Sequence, residues 1–478
     1  MGTLVMKFGG ASVGATPALT QVLSIVLQEH ERWDSLVLVV SALDGATDAL
    51  LEAAHLAQLS NRRGYRRIVA TLRLRHLSLV EQLPLGVTER NALQADIDRL
   101  LFDMLDTCQS LADNPANPRL LAVVDRIISV GERLAARIVA ALLRQNNLRG
   151  VAIDATDLVV TDAAFGNAVP NTQLTRQRIT QNLLPMLGRD IIPVITGFIG
   201  ATETGQPTTL GRGGSDYTAS IIAVALDAEE VWMWTGVDGI MTADPNELAD
   251  ARVIPLLSYE EVAELAYFGA RILHSRMIGP LREHRIPLRV KNVFRPREAG
   301  TLVRDTEPTA AHAIKAVTAI SGLGLTAAYS GPLTAIADLI DETLFQAVSS
   351  HTEVMISAQS SYQSFVCFVI PTSAGPEAAY TVQAALEAAL RERKVGADWQ
   401  ARPVSIITII GKHFNIATYA AAEVLQTLSD IHILGMSQGP ASCGLSLVLP
   451  PEDGDRALRQ IHAAIISKRS DSAQVPTV

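Results

Sequence analysis

Six short β-rich runs alternate with longer amphipathic segments over the first 300 residues, and this order constrains the chain more than any other feature. The runs are LVMKF, SLVLVVSA, VAIDATDLVV, DIIPVITGFIG, EEVWMWT and IPLRVKNV. Several are continuously apolar, as strands covered on both faces must be. Between them apolar residues recur at helical spacing, at 17–30, 120–145, 174–187 and 216–226. A strand followed by a helix and a further strand pairs in parallel through a crossover. The expected fold is therefore α/β, with a mainly parallel, doubly covered central sheet. With 478 residues, 48% of them hydrophobic, the chain has room for about three domains.

Composition changes after the last of these runs. Residues 295–313 are rich in Pro, Arg, Glu, Thr and Gly, which suits a linker with a boundary near 305. Upstream of it, Ser258 and Glu261 have capping-box spacing and predict a helix start at Ser258. Beyond the linker the chain repeats itself. VMISAQSSYQSFVCFVIP, residues 354–371, lies over ILGMSQGPASCGLSLVLP, residues 433–450, without a gap, placing Gln359 on Gln438 and Pro371 on Pro450. Helix-like segments flank each copy, so two βαββαβ units are the simplest reading and structural padding is the alternative. The expected division is a first domain over 1–304 and two smaller ones over 305–400 and 401–478.

Composition also excludes partners. The formal net charge is −9, and the one arginine-dense run, 62–75, falls at helical spacing as a solvated face does, so no nucleic-acid footprint is expected. Cys108, Cys367 and Cys443 lack metal spacing and read as buried thiols in a reducing compartment, without a disulfide. The chain enters a strand pattern at once and has no run long enough to span a bilayer, so a soluble, cytoplasmic protein is expected.

LVMKFGGASVG, from Leu4, is the first candidate for chemistry. A strand ending near Lys7 and passing through Gly9 and Gly10 bares backbone N–H groups to phosphate oxygens, although a strand entering a tight turn reads the same way. TTLGRGGSDYTASIIAVAL, from Thr208, is a second glycine-rich loop, running into a helix with Ser215 or Asp216 as its N-cap. Two such loops, one with Lys7 and one with Arg212, can hold the two ends of a phosphoryl transfer. The plainer alternative makes Arg212 an exposed loop residue and Asp216 only a cap. In SVGERLAARIVAALL, Glu132 either pairs with Arg133 or Arg137 on an exposed face or binds the ammonium of an amino acid. VVSALDGATDALLEAA offers the Ser41 and Thr47 hydroxyls to a carboxylate, or ordinary turn chemistry. WTGVDGIMTADPNE, from Trp234, follows a strand C-terminus, where nucleotides bind in open sheets, and reads equally as a connecting loop.

Taken together, KFGGASV at Lys7, SVGE at Ser129, TLGRGGSDYTA at Thr209, WTGVDGIMTADPNE at Trp234, FGARILH at Phe268 and IPLRVKN at Ile286 stand in a distinctive order. In order and spacing this resembles the aspartate kinases of the amino-acid kinase family. The tail is similar to the paired ACT domains that follow the kinase domain there. The resemblance covers nearly the whole chain. It implies a three-layer amino-acid-kinase domain with a mainly parallel sheet, then two ferredoxin-like βαββαβ ACT domains, contiguous or interleaved. The implied reaction is transfer of phosphate from ATP, with Mg2+, to the L-aspartate β-carboxylate. Its product, 4-phospho-L-aspartate, opens lysine, threonine and methionine biosynthesis.

Under this resemblance Lys7, Asp216 and Arg271 are catalytic, Lys7 neutralising the transferring phosphoryl group and Asp216 orienting the basic groups. Arg212 forks onto a substrate carboxylate, Glu132 takes the ammonium, and Ser41, Thr47 and Ser215 add hydroxyls. Lys7, Gly9, Gly10, Thr235, Gly236, Met241 and Asn246 line the nucleotide site. Gln359 and Ser360 face an amino-acid effector, lysine or threonine, and paired ACT domains imply at least a homodimer. Neither a protein-caged metal nor a nucleic-acid or membrane partner is implied. The chain departs from the family at five positions, with Ala11 for Thr, Gly236 for Asp, Met241 for Tyr, Asn246 for Arg and Arg271 for Lys. Two alternatives stand beside the kinase: a catalytically weak, amino-acid-binding regulatory subunit, and a kinase for another amino-acid carboxylate. Among the latter, N-acetylglutamate lacks the charge that Glu132 would pair with.

Overall fold

Strand formation follows the apolar runs closely. In the computed structural model, which describes residues 2–269, 273–305, 314–328, 331–348, 352, 354–360, 364–368, 378–392, 399–411, 418–438 and 443–467, the chain divides into two compact units. The first comprises 1–240, 253–259 and 271–306, the second 241–252, 260–270 and 307–478.

In the first unit the strands are β1 (Thr3–Phe8), β2 (Ser35–Val40), β3 (Gly150–Ile153), β4 (Val160–Thr161), β5 (Ile192–Thr196), β6 (Ile199–Thr202), β7 (Pro207–Thr209), β8 (Glu230–Thr235), β9 (Leu256–Leu257), β10 (Leu288–Asn292) and β11 (Thr301–Val303). Eight of them form one sheet in the order β3-β5-β2-β1-β8-β10-β11-β9. Every pair is parallel except β10 with β11. Leu4, Val5, Met6 and Phe8 of β1 and Leu38, Val39 and Val40 of β2 have no exposed surface, as a sheet covered on both faces requires. Because β2, β1 and β8 are neighbours, the loops after their C-terminal ends lie side by side, where open sheets form their sites.

Two runs read as single strands are broken. VAIDATDLVV passes through a 3-10 turn at Ala155–Asp157 between β3 and β4. DIIPVITGFIG splits into β5, in the main sheet, and β6, in a small sheet of order β4-β6-β7. Phe198 in the break has φ 69°, a left-handed backbone that a continuing strand cannot hold. Likewise the 120–145 segment is two helices, Leu120–Ile128 and Val130–Gln145, parted at Ser129, whose hydroxyl donates to the Arg126 carbonyl at 2.8 Å. The arginine-dense run lies in the helix Arg62–Gln82, with Tyr65, Ile68, Val69 and Leu72 inward and the arginines exposed.

In the second unit β12 (Ile314–Ala327), β13 (Val354–Gln359), β14 (Ser364–Phe368), β15 (Gln400–Gly411), β16 (Gly435–Gln438) and β17 (Gly444–Leu449) form one sheet in the order β13-β14-β12-β15-β17-β16. The two long central strands run antiparallel, Ile314 opposite Gly411 and Thr326 opposite Gln400. Hairpin β13–β14 flanks the C-terminal part of β12, and hairpin β16–β17 flanks the C-terminal part of β15. The sequence repeat thus coincides with two equivalent halves, in which Gln359 and Gln438 each end a hairpin strand. Pro371 lies outside the described residues; Pro450 is the N-cap of the helix Pro451–Ile461.

Segment 241–252 counts with this unit because Ala243 and Leu248 join an apolar cluster with Val317, Ile407 and Ile461. Segment 260–269 does so through Phe268, which packs with Ile356 and Phe365, and through Glu261, which lies 2.7 Å from Lys315 Nζ. The helix Tyr259–Tyr267 begins one residue after Ser258. Cys108, Cys367 and Cys443 are buried free thiols, pushed up to about 12 by burial. Among the described residues no helix is long and apolar enough to cross a membrane.

Candidate active site

Lys7 is the next-to-last residue of β1, opposite Val39 of β2 and Met233 of β8. Strand alternation turns it away from the face holding Phe8 and Trp234, which stack with centroids 6.1 Å apart. Its ammonium meets Asp216 Oδ1 at 2.6 Å, with the two side chains only 12% and 14% exposed. After Phe8 the chain turns at once: the Gly9 amide donates to the Trp234 carbonyl at 3.5 Å, and Gly10–Val13 form a single helical turn. A Cβ on Gly9 would stand 3.6 Å from Lys7 Nζ, so the backbone passes directly under the ammonium. At Gly10 a Cβ would stand 2.9 Å from the Ala42 carbonyl oxygen, which ties this turn to the loop after β2.

The second glycine loop delivers Asp216. Its helix, Gly214–Ala225, begins on Gly213 in the left-handed region at φ 69°, without a side-chain cap. The expected capping by Ser215 or Asp216 is therefore corrected. Glycine tolerates the left-handed N-cap geometry, which frees the Asp216 carboxylate to turn onto Lys7. Ser215 packs against Gly197, where a Cβ would stand 2.6 Å from the serine Cβ, and Arg212 is exposed at the tip of the loop.

Glu132 lies on the helix Val130–Gln145 and is 2% exposed. The exposed pairing with Arg133 or Arg137 does not occur: both arginines reach Asp154, at 3.4 and 3.5 Å. Glu132 Oε1 instead accepts from the Ala42 amide at 3.2 Å, while Oε2 is buried without a hydrogen-bond partner. Burial pushes its carboxyl up to about 8, against the opposing pull of the Ala42 amide and of the Lys7 charge. Ser41 and Thr47 are half-buried on either side of the same loop, and the Ser41 amide donates to the Phe8 carbonyl at 3.1 Å. Lys7, Gly9, Gly10, Ser41 and Glu132 thus come together around the ends of β1 and β2, and Asp216 joins them through Lys7.

At the end of β8, the Thr235 hydroxyl donates to the Val237 carbonyl at 3.1 Å and accepts from the Val237 amide. Asn292 of β10 fixes this turn by donating to Asp238 Oδ1 at 2.7 Å, and Arg295 pairs with the other oxygen at 2.8 Å. A Cβ at Gly236 meets nothing within 4 Å. Met241 and Asn246 belong to the second unit, where the Asn246 backbone amide donates to Asp244 Oδ1 at 2.8 Å. Arg271 lies outside the described residues. In the second unit the Gln359 side-chain amide donates to the Gly331 carbonyl at 2.9 Å and to Ser364 Oγ at 3.1 Å, and Ser360 is exposed just beyond it.

Three residues near these loops are given no role from the sequence, although Phe198 lies in DIIPVITGFIG and His274 ends FGARILH. Asp125, 1% exposed, accepts from the Thr209 amide at 2.9 Å, the Thr209 hydroxyl at 2.8 Å and the Gly166 amide at 2.9 Å; burial raises its pKa and these three donors oppose it. Phe198, held left-handed, accepts from the Leu210 amide and donates its own amide to Thr218 Oγ1 at 3.0 Å. His274, the N-cap of the helix Ser275–Glu283, fills the space above Gly213; burial first, then Arg276 and Arg212, lower its pKa against the charge of Asp216. A glycine with no room for a side chain is the only local hint of such a neighbour.

The chain is 28% identical to the aspartokinase of Candida albicans, over the whole of this chain and 93% of that one. Its fold matches E. coli aspartokinase III in complex with aspartate and ADP at TM-score 0.77 and 26% identity, covering 97% of this chain and 100% of that one. The same E. coli enzyme in complex with lysine and aspartate matches at TM-score 0.78, again at 26% identity, over 97% and 99% of the two chains. The amino acid kinase family model matches residues 2–292, more than half of the sequence, and the protein belongs to the amino acid kinase family.

Proposed function

We propose that the protein is an aspartate kinase, transferring the γ-phosphoryl group of ATP to the L-aspartate β-carboxylate to give 4-phospho-L-aspartate. Buried Glu132 carries this reading, because its unpartnered Oε2 offers the one thing an amino-acid ammonium needs in an apolar setting. An N-acylated substrate would leave that oxygen without a cation.

Lys7 neutralises charge on the transferring phosphoryl group, and the Gly9–Gly10 turn lets phosphate oxygens approach the backbone without side-chain obstruction. Asp216 holds the ammonium of Lys7 in place through the 2.6 Å contact. Exposed Arg212 forks onto a substrate carboxylate, with Ser41, Thr47 and Ser215 adding hydroxyls, and Arg271 supplies a further cation. Thr235 and Gly236, at the end of β8, face the nucleotide. Among the described residues no group of three or more His, Cys, Asp or Glu side chains can hold a metal ion. Mg2+ would arrive on the nucleotide phosphates and keep several of its waters.

The two halves of the second unit fit ACT domains over 305–400 and 401–478. They share their long strands, since residues 314–320 of β12 border β15 in the second half. An amino-acid effector, lysine or threonine, would bind near Gln359 and Ser360, and β13 and β16, which end the strand order among the described residues, suit pairing with a second copy. Incubation with ATP, aspartate and hydroxylamine should yield aspartyl hydroxamate, which lysine or threonine suppresses. Clean wild-type protein that forms none would overturn the proposal.

A further inference from the structure

Two of the five residues in loop 210–214 are glycines held left-handed, Gly211 at φ 73° and Gly213 at φ 69°. Such a loop is poorly fixed by its own backbone, because glycine loses more conformational freedom on ordering than any other residue. Yet it carries Arg212 and sets the start of the helix bearing Ser215 and Asp216. Its entry is fastened by Asp125 at Thr209. We propose that Arg276 is the positioning residue that fastens the rest of the loop, making it a rigid seat for the substrate carboxylate.

One Arg276 guanidinium makes three contacts with the loop and its surroundings. It donates to the Leu210 carbonyl at 2.6 Å and to Asn167 Oδ1 at 2.8 Å, and its central carbon lies 5.1 Å from the Tyr217 ring centroid. Asn167 in turn backs the loop, since a Cβ on Gly211 would stand 2.6 Å from its Oδ1. Arg276 therefore holds the first residue of the loop directly, the second through Asn167, and the following helix through Tyr217. His274, two residues earlier in the chain, closes the space over Gly213. A planar guanidinium can donate in its plane while it stacks through its face; a lysine ammonium cannot do both. Among the described residues none of these partners is a carboxylate, so the charge of Arg276 serves the loop's geometry and not an ion pair.

The inference rests on the aspartate-kinase proposal only for the identity of the substrate. In the hydroxamate assay Arg276→Ala should raise the KM for aspartate about tenfold, leaving the KM for ATP within about twofold and lowering kcat less than the KM rises. Arg276→Lys should recover part of the loss, and Asn167→Ala should add little to Arg276→Ala, because the two act as one unit. Hydrogen exchange supplies a readout independent of substrate. The Leu210 and Gly214 amides, bonded to the Phe198 and Gly211 carbonyls at 2.9 Å, should exchange faster in folded Arg276→Ala than in wild type. Unchanged exchange at these amides, or an equal rise in KM for both substrates, would overturn the clamp. Absence of hydroxamate from wild type would instead remove aspartate as the substrate, with the exchange comparison still deciding the clamp.

Discussion

Lys7 Nζ stands 2.6 Å from Asp216 Oδ1, joining the first strand of the chain to a helix that follows the second glycine loop. In the proposed reaction, a cation so placed at the end of a parallel strand, over glycines that leave room for an anion, would stabilise charge that develops during transfer. The carboxylate beside it fixes its position before substrate arrives.

Lys7→Met removes the charge and keeps most of the volume. We expect kcat to fall by about 10²–10³ or more with little change in unfolding temperature. Asp216→Asn should cost less, since the cation remains but is no longer held. Steady-state hydroxamate kinetics on both variants, with unfolding followed by circular dichroism, checks the order; a fully active Lys7→Met protein would refute the assignment.

Glu132 predicts a pH dependence of known sign. Its carboxyl is raised by burial from an ordinary 4.5 to about 8, so the folded protein binds more protons than the unfolded chain between those values. Its contribution to stability is fully present below about 4.5, declines as pH rises towards 8, and is level above. Glu132→Gln should flatten that part of the profile of melting temperature against pH. Because only the ionised carboxylate pairs with an ammonium, the wild-type KM for aspartate should fall as pH approaches 8, and the Gln variant should lose this trend.

Gly10 and Ala11 are neighbours with opposite tolerances. A Cβ at Gly10 would press on backbone, 2.9 Å from the Ala42 oxygen and 3.1 Å from the Asp44 nitrogen, so Gly10→Ala should cost about 1–3 kcal/mol and displace the turn under Lys7. Ala11 is exposed, and Ala11→Thr should leave stability unchanged within about 0.5 kcal/mol. Denaturant unfolding of the two variants gives the comparison directly.

By the sequence resemblance Gly236 stands where aspartate kinases usually carry Asp, and its surroundings are open. Its backbone is not left-handed, so a side chain meets neither steric nor conformational resistance. Gly236→Asp should fold normally and lower the KM for ATP severalfold while the KM for aspartate stays constant. An unchanged KM for ATP would show that this position does not face the nucleotide.

The apolar runs were enough to reveal the strands β1, β2 and β8, because strands covered on both faces are largely apolar, and β10 could be read from IPLRVKNV although Arg289 and Lys291 interrupt it. Such runs were not enough to break DIIPVITGFIG at Phe198, since a left-handed phenylalanine is held by the Leu210 amide and the Thr218 hydroxyl, both distant in sequence. Capping rules likewise point to Ser215 or Asp216, and the competing attraction of Lys7 for Asp216 is invisible in the local sequence. For Glu132 the commonest fate, an exposed pair with a nearby arginine, was overridden when Asp154 took both arginines and the helix turned Glu132 inward.

The amino-acid sequence by itself determined the α/β class, the repeated second unit and the glycine loops, because periodicity and conformational freedom are properties of neighbouring residues. Only the tertiary structure decided which charges meet. The pairing of Lys7 with Asp216, the unpartnered oxygen of Glu132 and the grip of Arg276 on loop 210–214 all depend on burial and on residues brought together by the sheet order. The strength and direction of each follow from the loss of water around them, and no local pattern in the chain encodes that.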